Sequence, residues 1–155
     1  MLDFLVGRPH TPRLQALGSL RLFIDLSPRE LGILAGFMHD RRYQCDEVVF
    51  DEGEEGQAIY FILAGEVAIV HADDVARPIA VLGAGDFFGE LALLDDSPRT
   101  AQARAASDCE MVVLFRGDFL GLMQAHAQIA SKIALQLARH LGSRLRASVS
   151  GAPEA

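Results

Sequence analysis

Apolar residues fall along this chain in three different rhythms. Between Leu14 and His39 they recur at helical intervals, at Leu17, Leu20, Leu22, Phe23, Leu31, Leu34, Ala35 and Met38. The stretch DLSPREL adds a start signal, with Ser27 as N-cap, Pro28 at the first helical position and Glu30 at the third. Two short helices are expected there. From Arg41 to Phe115 the rhythm changes to short apolar or alternating runs, EVVF, AIYFILAG, EVAIVHA, PIAVLGAG, TAQARA and CEMVVLF, set apart by Gly, Asp, Glu and Pro. Runs spaced about 8 to 12 residues apart predict an antiparallel sandwich or rolled barrel. After Arg116 helical spacing returns, first in GDFLGLMQAH and then in QIASKIALQLARHLGSRLR, where Ile129, Ile133, Leu137, Leu141 and Leu145 form a stripe at every fourth residue. A terminal helix of about five turns is expected to lie on the β unit or on a partner.

One short helix interrupts the strands, at GELALLDD. Glycine precedes it and an Asp-Ser-Pro turn follows it, so its first N–H groups are free and aimed at the space before Gly89. Free N–H groups of this kind attract anions. Glycine lets the backbone come close to a phosphate, and Arg99 on the returning strand can add a charge-assisted bidentate contact. Glu90 would repel the same anion, but its carboxylate is a good acceptor for a neighbouring sugar hydroxyl. A phosphate together with a ribose hydroxyl describes a nucleotide.

Composition narrows the setting. At 155 residues, half of them apolar, the chain suits one well-cored domain, read as N-terminal helices over 14–40, a β-roll over 41–115 with the anion segment at 87–101, C-terminal helices over 116–147 and a tail over 148–155. No window approaches the run of about 20 apolar residues of a spanning helix, and the start MLDFLVGRPHTPR, with Asp3 and Pro9, is unlike a secretory leader. A cytoplasmic protein with no membrane partner is expected. Cys45 and Cys109 stand alone, without CxxC or His-rich company, so they are expected to be interior thiols rather than a zinc site or disulfide.

Charge is uneven. Residues 40 to 100 carry 14 acids against Arg41, Arg42, Arg77 and Arg99, a balance of −10, which repels nucleic acid. That acidity also opposes long-range steering of a nucleotide, so binding must rest on a local, partly desolvated pocket. Residues 119 to 150 hold Lys132, Arg139, Arg144 and Arg146 and no acid. Their plain reading is a basic helix end that complements the helix dipole.

At these residues a resemblance becomes specific. FGELALLDDSPRTA, with GEEGQAIYFILAGEVAIV and VLGAGDFFGE upstream, resembles the phosphate-binding cassette and surroundings of the cyclic-nucleotide-binding domain family, the module of catabolite activator protein, of cyclic-AMP-dependent kinase regulatory subunits and of nucleotide-gated channels. The resemblance covers roughly residues 20 to 146. It implies an α+β, mainly β fold: an eight-stranded antiparallel β-roll, jelly-roll-like, with N-terminal helices, a short cassette helix and two C-terminal helices. It also implies a ligand-contacting set of Gly89, Glu90, Leu91, Ala92, Arg99 and Thr100. Gly89 and Ala92 are the backbone donors to the cyclic phosphate, Glu90 takes the ribose 2′-hydroxyl, Arg99 takes the phosphate, and Thr100 stands beside phosphate and base. In the family a Thr at this position goes with tolerance of cyclic GMP. The last helix closes over the base, which brings His140, Arg144 and Leu145 to that position.

Plainer readings stand beside these. Gly65 and Gly85 suit turns of a tight roll, and Glu90 and Arg99 in isolation read as an ion pair. Thr100 reads as a β-branched strand residue, His140 and Arg144 as solvated helix residues, and the Ile129 to Leu145 stripe as core or as a homodimer seam. Among functions, a non-catalytic receptor for cyclic AMP or cyclic GMP, acting through its C-terminal helix on a protein partner, is the reading adopted. A transcription factor would need a helix-turn-helix after the long helix, where the sequence has RASVSGAPEA, so no direct nucleic-acid contact is expected. A transcription-factor-related or regulatory-subunit fragment whose effector domain lies on another chain, or a scaffold-only roll, remain alternatives. A cupin-type metalloenzyme would need clustered ligands, whereas His10, His39, His71, His126 and His140 form no HxH pair, so no catalytic residue, metal or further cofactor is expected.

Overall fold

The computed structural model describes residues 12–151. The N-terminal stretch read above for a leader, and His10, lie outside the described residues. The helical rhythm before residue 40 becomes α1 (Pro12–Gly18), a 3-10 turn at Arg21–Phe23 and α2 (Pro28–Ala35). Ser27 caps α2 as the sequence predicts: Glu30 N donates to Ser27 Oγ at 3.2 Å and Ser27 N donates back to Glu30 Oε1 at 2.9 Å.

Eight antiparallel strands follow: β1 (His39–Tyr43), β2 (Val48–Phe50), β3 (Ala58–Ala64), β4 (Val67–Val70), β5 (Ala80–Leu82), β6 (Phe87–Phe88), β7 (Gln102–Ala105) and β8 (Cys109–Phe115). They form two four-stranded sheets, ordered β1-β8-β3-β6 and β2-β7-β4-β5. β3 and β8 explain why their sequences are almost wholly apolar rather than alternating. On one side Ile59, Phe61, Val112 and Leu114 join the helical layer; on the other Ile62 and Met111 join the space between the sheets. A strand buried on both faces has no polar side to show.

β1 begins at His39, earlier than the sequence boundary, and its HDRRY carries no apolar alternation because its residues are mostly exposed at the sheet edge, paired only with β8. The cassette helix is shorter than GELALLDD suggests, a 3-10 turn over Glu90–Leu93. Cys109 is buried, with burial pushing its thiol above the ordinary value, but Cys45 is exposed on the turn after β1, so the expectation of two interior thiols holds for one only.

Two helices close the chain, α3 (Arg116–Ala125) and α4 (Ala127–Ser150). α4 runs 24 residues to Gly151, whose φ of +75° ends it, so it continues past the tail boundary expected at residue 148. Ile129, Ile133 and Leu137 are buried, Leu141 is half-buried and Leu145 is 64% exposed. At 3.6 residues per turn a stripe of every fourth residue winds about 40° per step, so after four steps it has turned roughly 160° away from the core.

A second stripe of α4 carries polar ties: Lys132 Nζ donates to Glu30 Oε1 at 2.8 Å, Gln136 Nε2 to Asp25 Oδ2 at 2.5 Å, and Arg21 Nη1 to His140 Nδ1 at 3.1 Å. The bond from Lys132, followed by that from Ser27, holds the Glu30 carboxyl below its ordinary value of 4.5. A carboxyl lowered on folding contributes stability above its unfolded value and loses it as pH falls through the folded one. The stability gap between the wild type and Glu30→Gln should therefore be full above about pH 4.5 and close at lower pH, as read from urea unfolding across pH. A gap that stays constant down to pH 2 refutes it.

Candidate functional site

Beside the apolar cluster of Phe50, Ile62 and Phe88 stands an unusual residue to bury, Arg99. This guanidinium is 9% exposed. Its main chain is fixed by the loop after β2, where Arg99 N donates to Glu54 O at 2.7 Å and Gly53 N donates to Arg99 O at 2.8 Å. At the other end Nη1 donates to Gly89 O at 3.1 Å and Nη2 to Ala58 O at 2.8 Å. The Phe50 ring lies against the guanidinium, with Cζ 3.9 Å from the ring centroid. Nε is buried without a hydrogen-bond partner. Burial pulls the Arg99 pKa below its ordinary value, with Tyr60, Glu54 and Glu90 pulling the other way.

Two glycines make room for this cation. Gly89 has φ +77°, and a Cβ there would stand 2.7 Å from Arg99 Nη1. At Gly56 a Cβ would meet Arg99 Cζ and Nε at 3.2 Å and the Ala92 Cβ at 3.3 Å. Gly56 was not singled out from the sequence, where it is one glycine of GEEG; only the fold brings it against Arg99. Gly65 and Gly85, read as turn glycines, have φ of +95° and +94°. At Gly65 a Cβ would also stand 2.3 Å from Asp108 O, so close approach to β8 adds to the turn.

Glu90 is buried, but it does not pair with Arg99. Arg144 of α4 donates from Nη1 to Glu90 Oε1 at 2.7 Å, joining a carboxylate 9% exposed to a guanidinium 50% exposed. Among the described residues Arg99 has no carboxylate within ion-pair distance, so the reading of Glu90 and Arg99 as partners is set aside. His140 also reaches this end of the roll, its ring centroid 4.7 Å from that of Phe87 in β6. The reading of His140 and Arg144 as merely solvated therefore fails as well. Leu145 points to solvent, Leu91 is 52% exposed, Ala92 is buried and Thr100 is exposed beside Arg99. The cassette's far end is clasped by Arg116 at the start of α3, which donates from Nη1 to Asp95 O at 2.6 Å and pairs through Nη2 with Asp96.

A buried cation held by carbonyls and an aromatic face, beside a carboxylate that keeps one oxygen free of Arg144, is suited to an anion carrying an adjacent hydroxyl. The four described histidines lie apart: His39 on Asp118, His71 on Glu52, His126 near Phe37 and His140 on Phe87.

Comparison with known proteins gives the same direction. Residues 40–126 match the family model described as the cyclic nucleotide-binding domain. The cyclic AMP receptor protein of Thermus thermophilus is 37% identical over 122 residues, which cover 77% of this chain and 56% of that protein. A cAMP-dependent protein kinase regulatory subunit of Emericella nidulans is 35% identical over 107 residues, 69% of this chain and 26% of that protein. This chain thus spans about half of the first relative and a quarter of the second. Among solved structures, a cyclic nucleotide-binding domain from Methylobacillus flagellatus superposes with a TM-score of 0.76 at 28% identity, covering 88% of this chain and 78% of that one. The catabolite activator protein of Thermus thermophilus gives 0.69 at 33% identity, covering 84% and 63%.

The geometry at Gly89 makes a direct prediction. Gly89→Ala places a side chain in left-handed backbone, at a cost of about 1–2 kcal/mol, and its methyl displaces the Arg99 guanidinium. Guanidinium chloride unfolding should show a lowered midpoint; a midpoint equal to the wild type refutes the assignment.

Proposed function

The chain belongs to the cyclic nucleotide-binding domain family, and from that premise we propose that it is a non-catalytic receptor whose Arg99 takes the phosphate of a cyclic nucleotide and whose helix α4 carries the event to a protein partner. The observation that carries this reading is the state of Arg99: a buried cation with an orphaned Nε and only neutral carbonyls as hydrogen-bond partners of its other nitrogens. Burying a charge without a counter-charge is costly, and an entering phosphate supplies both the charge and the acceptors. The names of the relatives support cyclic AMP as a ligand.

In this reading the cyclic phosphate meets Arg99 and the backbone N–H groups of Gly89 and Ala92, with Leu91 between them in the same turn; Ala92 N, which donates to Gly89 O at 3.1 Å, has to exchange that acceptor for the phosphate. The ribose 2′-hydroxyl donates to Glu90, whose Oε1 already accepts from Arg144. The sugar and α4 thus share one carboxylate. Thr100 stands where its hydroxyl can meet a guanine amine, but one hydrogen bond contributes only about 0.5 to 1.5 kcal/mol. Cyclic AMP and cyclic GMP are expected to bind within about a hundredfold of each other. Leu135, Leu145 and Val149 leave α4 an apolar exposed face for the effector or for a second copy of the chain.

Calorimetric titration with cyclic AMP, cyclic GMP and linear AMP tests the site. Arg99→Ala should weaken cyclic AMP binding at least tenfold, because removing one partner of a desolvated charge pair costs about 2 to 5 kcal/mol. Binding within threefold of the wild type overturns the reading.

The helix has its own test in amide hydrogen exchange. Saturating cyclic AMP should slow exchange in the second half of α4 in the wild type and do so less in Arg144→Ala. Identical exchange with and without ligand in the wild type removes α4 from the mechanism.

A further inference from the structure

We propose that Phe50 is a positioning residue of this site, its ring serving as the seat that fixes the plane of the Arg99 guanidinium; the inference rests on the receptor reading above. The two hydrogen bonds of Arg99, to Gly89 O and Ala58 O, hold the guanidinium within its own plane. They do little to stop it sliding along the normal to that plane. The Phe50 ring adds a restraint that the two bonds do not supply: Cζ lies over it, 3.9 Å from the centroid, and its negative face attracts the cation. The ring is itself braced. Its centroid lies 5.7 Å from that of Tyr60 and 5.8 Å from that of Phe88, and those two rings stack 5.2 Å apart at an interplanar angle of 8°.

The backbone makes a local departure to put Phe50 there. Val48 pairs with Arg104, and in an unbroken ladder Phe50, two residues on, would share Val48's face. Val48 is 40% exposed. The register shifts between them, so that Phe50 pairs with Ala103 instead and turns into the space between the sheets, where it is 8% exposed. A bulge of one residue that re-aims a side chain beside a binding site is a recurrent use of this irregularity. Ala103 is small enough to leave the ring room against the guanidinium. Apolar burial alone does not require a ring at this position, since an aliphatic side chain of similar volume would fill the space. What only the ring supplies is a flat, electron-rich face 3.9 Å from a cation that must stay free of carboxylates.

The test separates seating from packing. In Phe50→Leu, which keeps apolar bulk and loses the π face, cyclic AMP affinity should drop about fivefold to thirtyfold. In the Arg99→Ala background the same change should cost less than twofold, because there is no guanidinium left to seat. Phe50→Tyr, which restores the ring, should return affinity to within about threefold of the wild type. A spectroscopic readout that needs neither ligand nor a change at Phe50 accompanies these. The Arg99 Nε–H signal of the wild type, assigned by its loss in Arg99→Lys, should be shifted upfield by the Phe50 ring and protected from exchange; this measurement decides the matter even if Phe50→Leu does not fold. An Nε–H signal at the position of exposed arginines overturns the seating. Equal affinity losses in both backgrounds overturn it too, as packing alone would cause them. If the wild type binds neither cyclic nucleotide, the receptor reading itself is refuted, an outcome distinct from either of these.

Discussion

A guanidinium nine-tenths buried and held only by carbonyl oxygens and an aromatic face sets the terms for everything around it. Neutral acceptors orient a cation without cancelling its charge, so the charge remains available to a ligand. That choice has local consequences. The cation and its carbonyls come close, with Gly89 in left-handed backbone and a tight fit for any side chain at Gly56. The ring must face inward, which requires the break in register along β2. The carboxylate next door must be occupied elsewhere, and Arg144 occupies it. A direct bond between Glu90 and Arg99 would have satisfied both groups.

The winding of α4 links that site to the far end of the molecule. Lys132, Gln136, His140 and Arg144 follow one another at intervals of four, and each step carries the row about 40° further round the helix. The row therefore starts at Glu30 on the cap of α2, passes Asp25 and the 3-10 turn at Arg21, and arrives at Glu90 in the cassette. The apolar stripe drifts in the same sense, so Leu145 leaves the core just where Arg144 reaches the cassette. One helix thereby holds the N-terminal segment with its first half and the anion segment with its second.

Much of this was legible in the sequence because it rests on local rules. The capping box at Ser27 and the periodic runs from EVVF to CEMVVLF name their own structure, and FGELALLDDSPRTA marks the cassette by motif. What escaped depends on partners distant along the chain. HDRRY is not among the apolar runs because an exposed edge strand needs no apolar face; only its pairing with β8 makes it β1. Glu90 and Arg99 look like partners at nine residues' separation, while the actual partner of Glu90 lies 54 residues away. Phe50 reads as one more apolar strand residue, since a bulge leaves no trace in the apolar pattern of EVVF. Cys45 follows the apolar average for its residue type, but the turn after β1 turns it outward.

The strands β3 and β8, packed on both faces, act as a bulkhead between two compartments. Helices press on one side through Phe61 and Leu114, and the second apolar cluster, with Phe50 and Phe88, lies on the other against Ile62 and Met111. Close-packed side chains on both surfaces leave such a wall little freedom to bow or slide. Movement shared by the two compartments has to travel around the rim rather than through the partition. The rim on that side is β6, two residues long, running straight into the cassette. Among the described residues the crossings there include Phe87 against His140, Glu90 with Arg144, Arg116 with Asp95 and Asp96, and Leu93 in the helical cluster. A stiff partition with a short edge concentrates whatever passes between the halves at that edge, so small changes there weigh more than larger ones anywhere in the wall.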